Sequence, residues 1–171
     1  EPLTRLSCCP TSDGAAAAIL MSREAAVRLA VERPVRILAS SLTSGGYRRD
    51  DIAHLDLDRR AGEAAYEMAG VGPEDIDLAE VHDAFTICEV IHYEDLGFCP
   101  MWEGGSLLEE GATALGGRLP VSTSGGLLSR GHPLGATGIA QAHEVVTQIR
   151  GEAGSRQVEG ARIGLIHCVG G

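Results

Sequence analysis

Ser124-Gly125-Gly126-Leu127-Leu128-Ser129-Arg130-Gly131-His132-Pro133-Leu134-Gly135-Ala136-Thr137-Gly138 sets one histidine among glycines and directly ahead of a helical pattern. Glycines 125, 126, 131, 135 and 138 permit positive φ and close backbone approach, and Pro133 fixes the turn just past His132. From Thr137 the apolar residues Ile139, Ala142, Val145, Val146 and Ile149 recur at three- and four-residue spacing, which predicts a helix. A helix N-terminus beyond a Gly-rich turn also offers free N–H donors to an anion. A lone histidine in such a turn often does no more than satisfy a buried hydrogen bond, so the reading depends on its company.

Two further segments supply that company. Residues 162–171, Arg-Ile-Gly-Leu-Ile-His-Cys-Val-Gly-Gly, read as a short buried strand delivering Cys168 to its C-terminal edge, with Gly170 leaving room beside the thiol. Leu78-Ala79-Glu80-Val81-His82-Asp83-Ala84-Phe85 reads as a strand ending in polar groups, followed by a helix. Asp83 is expected as that helix's N-cap, which leaves His82 as the odd residue at the strand edge. Ligands of open α/β sheets bind outside the carboxyl ends of strands, so three strand edges bearing His82, His132 and Cys168 point to one site.

Punctuation organises the rest. Gly14–Met21 and Val35–Leu42 are predicted strands, with a short helix opened by Ser22 between them and ending near Pro34. Thr43–His54 is a predicted loop, Leu57–Ala69 a helix closed by Gly70 and Gly72, and Ser106–Gly111 a further short helix. Strand and helix alternate, which implies a largely parallel or mixed sheet with right-handed crossovers. Met21 is placed in a core strand, Trp102 in loop packing and His143 on a helix surface.

At 171 residues and 44% hydrophobic the chain can bury one core, and with aromatics at 4% aliphatic side chains must fill it. A net charge of −10 disfavours nucleic acid and anionic membranes as partners. No apolar run approaches the roughly 18 residues of a membrane span, and no signal peptide is visible. Five cysteines at irregular spacing suggest reduced thiols and a cytoplasmic setting. Cys88, His92 and Cys99 imitate a metal site, but no C-x-x-C pair accompanies them and no metal is expected. Cys8 and Cys9 lie before Pro10 in a predicted loop.

His82-Asp83-Ala84-Phe85, Gly131-His132-Pro133-Leu134-Gly135-Ala136-Thr137-Gly138 and Cys168-Val169-Gly170 resemble, in order, the last three of the four active-site blocks of the thiolase superfamily. Cys9-Pro10-Thr11-Ser12-Asp13-Gly14 is similar to the opening of the C-terminal half in sterol-carrier-protein-type thiolases and bacterial lipid-transfer thiolase-like proteins. The resemblance implies half of a duplicated α-β-α-β-α sandwich, an α/β fold whose mixed sheet carries helices on both faces. It also implies that residues 1–171 are a fragment lacking the N-terminal half and the final strand.

The implied activity is that of an acyl-CoA C-acyltransferase, an acetyl-CoA acetyltransferase-like enzyme of lipid or sterol metabolism. It would condense or cleave 3-ketoacyl-CoA thioesters, with CoA thioester as substrate and no separate cofactor. His132 resembles the base that activates a nucleophilic cysteine, which belongs to a block absent here. His82, where many thiolases have Asn, resembles the group that polarises the thioester oxygen, and Cys168 the acid/base cysteine. Gly131, Gly170 and Arg130 are the expected substrate-binding positions, Arg130 towards the CoA phosphates. In sterol-carrier-type thiolases the acid/base cysteine commonly stands where this chain has Ala84, which moves that role to Cys168. The family implies a homodimer or tetramer. It also leaves two alternatives: an aldol lyase acting on sterol side-chain CoA esters with an OB-fold partner, and a catalytically inactive fragment.

Overall fold

The computed structural model describes residues 3–45 and 56–170. Helix α1 spans Arg23–Arg28, α2 Asp56–Ala69, α3 Thr86–Asp95, α4 Gly104–Glu109, α5 Gly126–Arg130 and α6 Thr137–Ile149; strand β1 spans Leu78–Glu80 and β2 Gly164–Ile166. The two strands pair in parallel, with Ala79 opposite Leu165. Val121 extends the sheet by one parallel bridge to Ala79.

Both faces of this short sheet are covered, as the thiolase-like α/β architecture requires. On one face Ala79 and Val81 join Tyr93, Leu96, Phe98, Leu107 and Val121 in the main core, beneath α3 and α4. On the other face α6 lies directly on the strands. A Cβ on Gly164 would come within 2.4 Å of Val145 Cγ1, so glycine there sets how closely helix and strand approach. Gln141, fully buried on α6, ties the two strand ends together, its Nε2 donating to the carbonyls of Val81 at 2.9 Å and His167 at 3.1 Å.

Local signals set the helix ends. Ser22 Oγ accepts from the Ala25 amide at 3.2 Å and opens α1, which closes at left-handed Ala30 (φ 48°), short of Pro34. Gly70, at φ 71°, follows α2. Tyr66 of α2 donates its hydroxyl to the Leu96 carbonyl at 2.9 Å and so docks that helix on the end of α3.

Several expectations are corrected. Gly14–Met21 and Val35–Leu42 form no hydrogen-bonded strand; the first is exposed throughout and the second along half its length, with Ile19 86% and Leu42 98% accessible. The β-like aliphatic pattern is there, but a strand needs a neighbour's N–H and C=O groups, and among the described residues none lies alongside. Met21 is therefore exposed rather than in the core, and Trp102 lies on the surface with φ 71°. In keeping with a largely parallel or mixed sheet, β1 and β2 pair in parallel, and among the described residues one antiparallel bridge, Cys8 to Phe85, falls in the stretch read as loop. The second short helix begins at Gly104 and ends at Glu109. Most of the predicted Thr43–His54 loop lies outside the described residues.

Candidate active site

The sheet's C-terminal edge gathers the three candidate side chains. Glu80 ends β1, and two residues later His82 stands at the edge; Ile166 ends β2, and Cys168 follows at the same remove. The His167 amide donates to the Glu80 carbonyl at 2.9 Å, which keeps the two chain ends level beyond the ladder. As a result Cys168 Sγ lies 3.7 Å from His82 Nδ1. The His82 and His132 rings meet edge to face, with centroids 4.8 Å apart.

His132 arrives from a different element, and buried carboxylates guide it there. Asp83 accepts from the Leu127 amide at 2.8 Å and from Leu128 at 3.5 Å, so it caps α5 rather than the helix that follows it in sequence. That reach requires glycine at 126: its φ is +64°, and a Cβ there would fall within 1.9 Å of Asp83 Oδ2. Glu80, fully buried, accepts from the Ser124 amide at 2.9 Å and the Ser124 hydroxyl at 2.6 Å. One short strand thus holds both the start of α5 and the loop before it. The chain then turns at Gly131 (φ 82°), where a Cβ would strike Ser12 Oγ, and the His132 amide donates to the Pro10 carbonyl at 3.3 Å.

Thr137 anchors the His132 ring. Its Oγ1 lies 2.8 Å from His132 Nδ1 and 3.2 Å from the Pro133 carbonyl, so Nδ1 is held on the threonine hydroxyl and Nε2 is the ring nitrogen that Thr137 leaves for the site.

Electrostatics distinguish the other two groups. Burial, with the neighbouring histidines His132, His167 and His92 adding to it, lowers the His82 pKa to about 4, so the ring is neutral near pH 7. Its neutral imidazole can therefore donate or accept one hydrogen bond at a substrate oxygen. Cys168 is exposed as a residue, yet the atoms around its sulfur push the thiol pKa up. It keeps its proton at rest and is poised as a proton donor.

The expected substrate-binding residues have different surroundings. Gly170 is exposed, and no atom stands within 4 Å of where a Cβ would be. Gly131 is needed by the backbone. Arg130 Nη2 points inward, 3.6 Å from Glu80 Oε2. An open groove of about 570 Å³ runs between residues 11–16 and 132–136, leading past His132. All five cysteines are free. Cys88 and Cys99 do not join His92 in a cluster; His92 Nε2 meets the His82 carbonyl, and its ring faces Asp58 and His167.

Sequence reasoning missed Glu80, Thr137 and the true role of Asp83. A carboxylate inside an aliphatic strand was the one available signal for Glu80, because a buried charge needs partners.

A model of the thiolase C-terminal domain-like family matches residues 40–171. Over the full chain the sequence is 52% identical to an acetyl-CoA acetyltransferase of Methanothermobacter thermautotrophicus, of which it covers 45%. It is 45% identical to sterol carrier protein 2 of Oryctolagus cuniculus over 98% of the chain and 32% of the relative. It is 42% identical to the benzoylsuccinyl-CoA thiolase subunit BbsB of Thauera aromatica, covering all of the chain and 45% of that protein. Among solved structures, an Ltp2-ChsH2(DUF35) aldolase superposes with a TM-score of 0.82 at 28% identity, over 97% of this chain and 44% of that one. The chain thus spans less than half the length of these curated relatives.

Proposed function

Because the chain belongs to the thiolase C-terminal domain family, we propose that it supplies the base, the acid/base thiol and the oxygen-polarising imidazole of an acyl-CoA C-acyltransferase. The nucleophilic cysteine would come from sequence outside these residues. His132 Nε2 takes that cysteine's proton; the thiolate attacks the thioester carbonyl; the CoA thiolate leaves and is reprotonated from His132. His82 donates to the thioester oxygen as negative charge develops there. In the cleavage direction Cys168 gives its proton to the α-carbon released when the carbon–carbon bond breaks; in condensation it takes that proton back. The observation that carries this reading is the convergence of His132, held through Nδ1 by Thr137, with His82 and Cys168 at one sheet edge.

The missing half and a second copy of the protein are the partners proposed for the exposed aliphatic surfaces around Ile19, Leu20 and Leu42. A carbon–carbon lyase working with an OB-fold partner is the second reading. It is favoured by the likeness to the Ltp2-ChsH2(DUF35) aldolase and by a thiol held as a proton donor, since lyase cleavage also releases a carbanion.

Mass spectrometry of the natural-length protein after incubation with acyl-CoA tests the proposal. A covalent acyl adduct is expected in wild type and in Cys168→Ala, which should no longer make or break carbon–carbon bonds. Little adduct is expected in His132→Ala. Wild-type protein that never forms the adduct yet cleaves a β-hydroxyacyl-CoA would establish the lyase instead.

A further inference from the structure

A second cluster of titratable side chains lies beneath the site and takes no part in the chemistry above. Asp58 of α2, His92 of α3 and His167 just past β2 are 1%, 2% and 8% exposed. Asp58 Oδ2 is 3.3 Å from His92 Nδ1, and Asp58 Oδ1 is 3.4 Å from His167 Nε2. One ligand atom from each of the three falls within 4.8 Å of the others.

Proton bookkeeping shows what this arrangement lacks. His92 Nε2 lies 3.1 Å from the His82 carbonyl oxygen, which can only accept, so Nε2 carries the hydrogen. In a neutral ring Nδ1 then turns its lone pair on the carboxylate. Neither Nδ1 nor Asp58 Oδ2 has a hydrogen-bond partner. Two facing lone pairs in a buried place call for a positive centre between them, either a second proton on His92 or a metal cation.

Three features favour the metal. Around an ion with bonds of about 2.0–2.1 Å, adjacent donors of a tetrahedron stand about 3.3 Å apart, as the Asp58–His92 and Asp58–His167 pairs do at 3.3 and 3.4 Å, and the widest ligand pair lies within 4.8 Å. A metal-bound histidine usually donates its other ring N–H to a carbonyl or carboxylate, as His92 does to His82. One carboxylate oxygen of Asp58 and two imidazole nitrogens supply three of the four donors that such an ion takes.

We propose that Asp58, His92 and His167 bind one divalent cation of the zinc class as a structural ion. Two imidazoles and one carboxylate suit zinc or cobalt better than calcium or magnesium, which take oxygen ligands. Bound there, the ion joins α2 and α3 to the residue preceding Cys168, and through His92 it steadies the carbonyl of His82. It touches no reacting atom, so acyl transfer and metal binding stand or fall separately. The ligands are separated by 34 and 75 positions in the chain, which matches no short zinc motif.

The test uses the natural-length protein, stripped with a chelator and titrated with Co2+ and Zn2+. One equivalent per chain, a visible Co2+ spectrum of a four-coordinate nitrogen and oxygen site, and a metal-dependent rise in Tm are expected. Asp58→Asn and His92→Gln should each weaken binding by more than about tenfold, since changes even in outer-shell partners commonly cost 10–100-fold. Cys168→Ala should bind as wild type does, which separates this site from adventitious capture by the Cys168–His82 pair. Should the ligand variants fail to fold, X-ray absorption of the Co2+-loaded wild type still decides: nitrogen and oxygen neighbours support the site, whereas sulfur in the shell overturns it. Absence of bound metal overturns it, as does binding that survives both ligand variants or an Nδ1 proton on His92 that persists under excess Zn2+.

Discussion

Residues 77–168 and residues 3–42 have similar aliphatic character but very different surroundings. In the first region Leu78, Ala79, Val81 and Leu127 are completely buried, and polar groups such as Glu80, Asp83 and Gln141 are sealed in with hydrogen-bond partners. In the second, Leu6, Ile19, Leu20, Val27, Ile37 and Leu42 are all more than 60% accessible. What holds that arm is a set of tethers: Ser41 Oγ donates to the Ala61 carbonyl at 2.7 Å, Arg150 Nε to the Arg33 carbonyl at 3.2 Å, and Arg33 pairs with Glu152. This exposed apolar surface is the one assigned above to the proposed partners. Composition is therefore a poor guide to where the core lies, and the supply of hydrogen-bonding neighbours is a good one.

The largest effect is expected at Glu80. Replacing it with Ala strands the half-buried Arg130 guanidinium and the Ser124 loop, so chemical denaturation should show a loss of about 3 kcal/mol, the low end for breaking a buried charge pair. A loss below about 1 kcal/mol would mean that the packed region does not depend on its buried carboxylates. Next comes Thr137→Val, which removes the hydroxyl that holds His132 Nδ1. A kcat about 10–100-fold lower with KM unchanged is expected in the natural-length enzyme, as for other orienting partners, with recovery in Thr137→Ser. Equal losses in Val and Ser would mean that the methyl group, not the hydroxyl, matters.

A smaller, pH-dependent effect belongs to Glu144. Burial acts to raise its pKa, but hydrogen bonds from Arg156 and Gln148 and the Arg156 charge outweigh it and hold it below the ordinary carboxylate range. A depressed folded pKa stabilises above the unfolded value of about 4.3 and is lost as pH falls through the folded one. The stability gap between wild type and Glu144→Gln, about 1 kcal/mol near neutrality for such a charge-assisted hydrogen bond, should therefore close on acidification. Last, Leu42→Ser should alter the stability of this chain by less than about 0.5 kcal/mol, as usual for exposed sites, yet weaken assembly of the natural-length protein as read by sedimentation. No change in either measurement would remove the arm from any interface.

Much of the site could be read from the chain. The periodicity after Thr137, the Gly-rich turn around His132 and the aliphatic run before Cys168 are local signals, and each of those elements formed where the pattern put it. Asp83 shows the limit of such reading: a carboxylate just before a helix is an ordinary N-cap, yet its partners are amides 44 and 45 residues away.

The sequence by itself determined α1, α2, α3 and α6, the turn chemistry and the thiolase-like order of blocks, because these depend on backbone preferences within a few residues; α5, inside the Gly-rich stretch read as a turn, was not among them. Tertiary structure alone decided which extended segments became strands and which carboxylate caps which helix. It also brought Asp58, His92 and His167 together. Each of these outcomes depends on donors and acceptors that are remote along the chain and become neighbours only when the helices pack against the sheet.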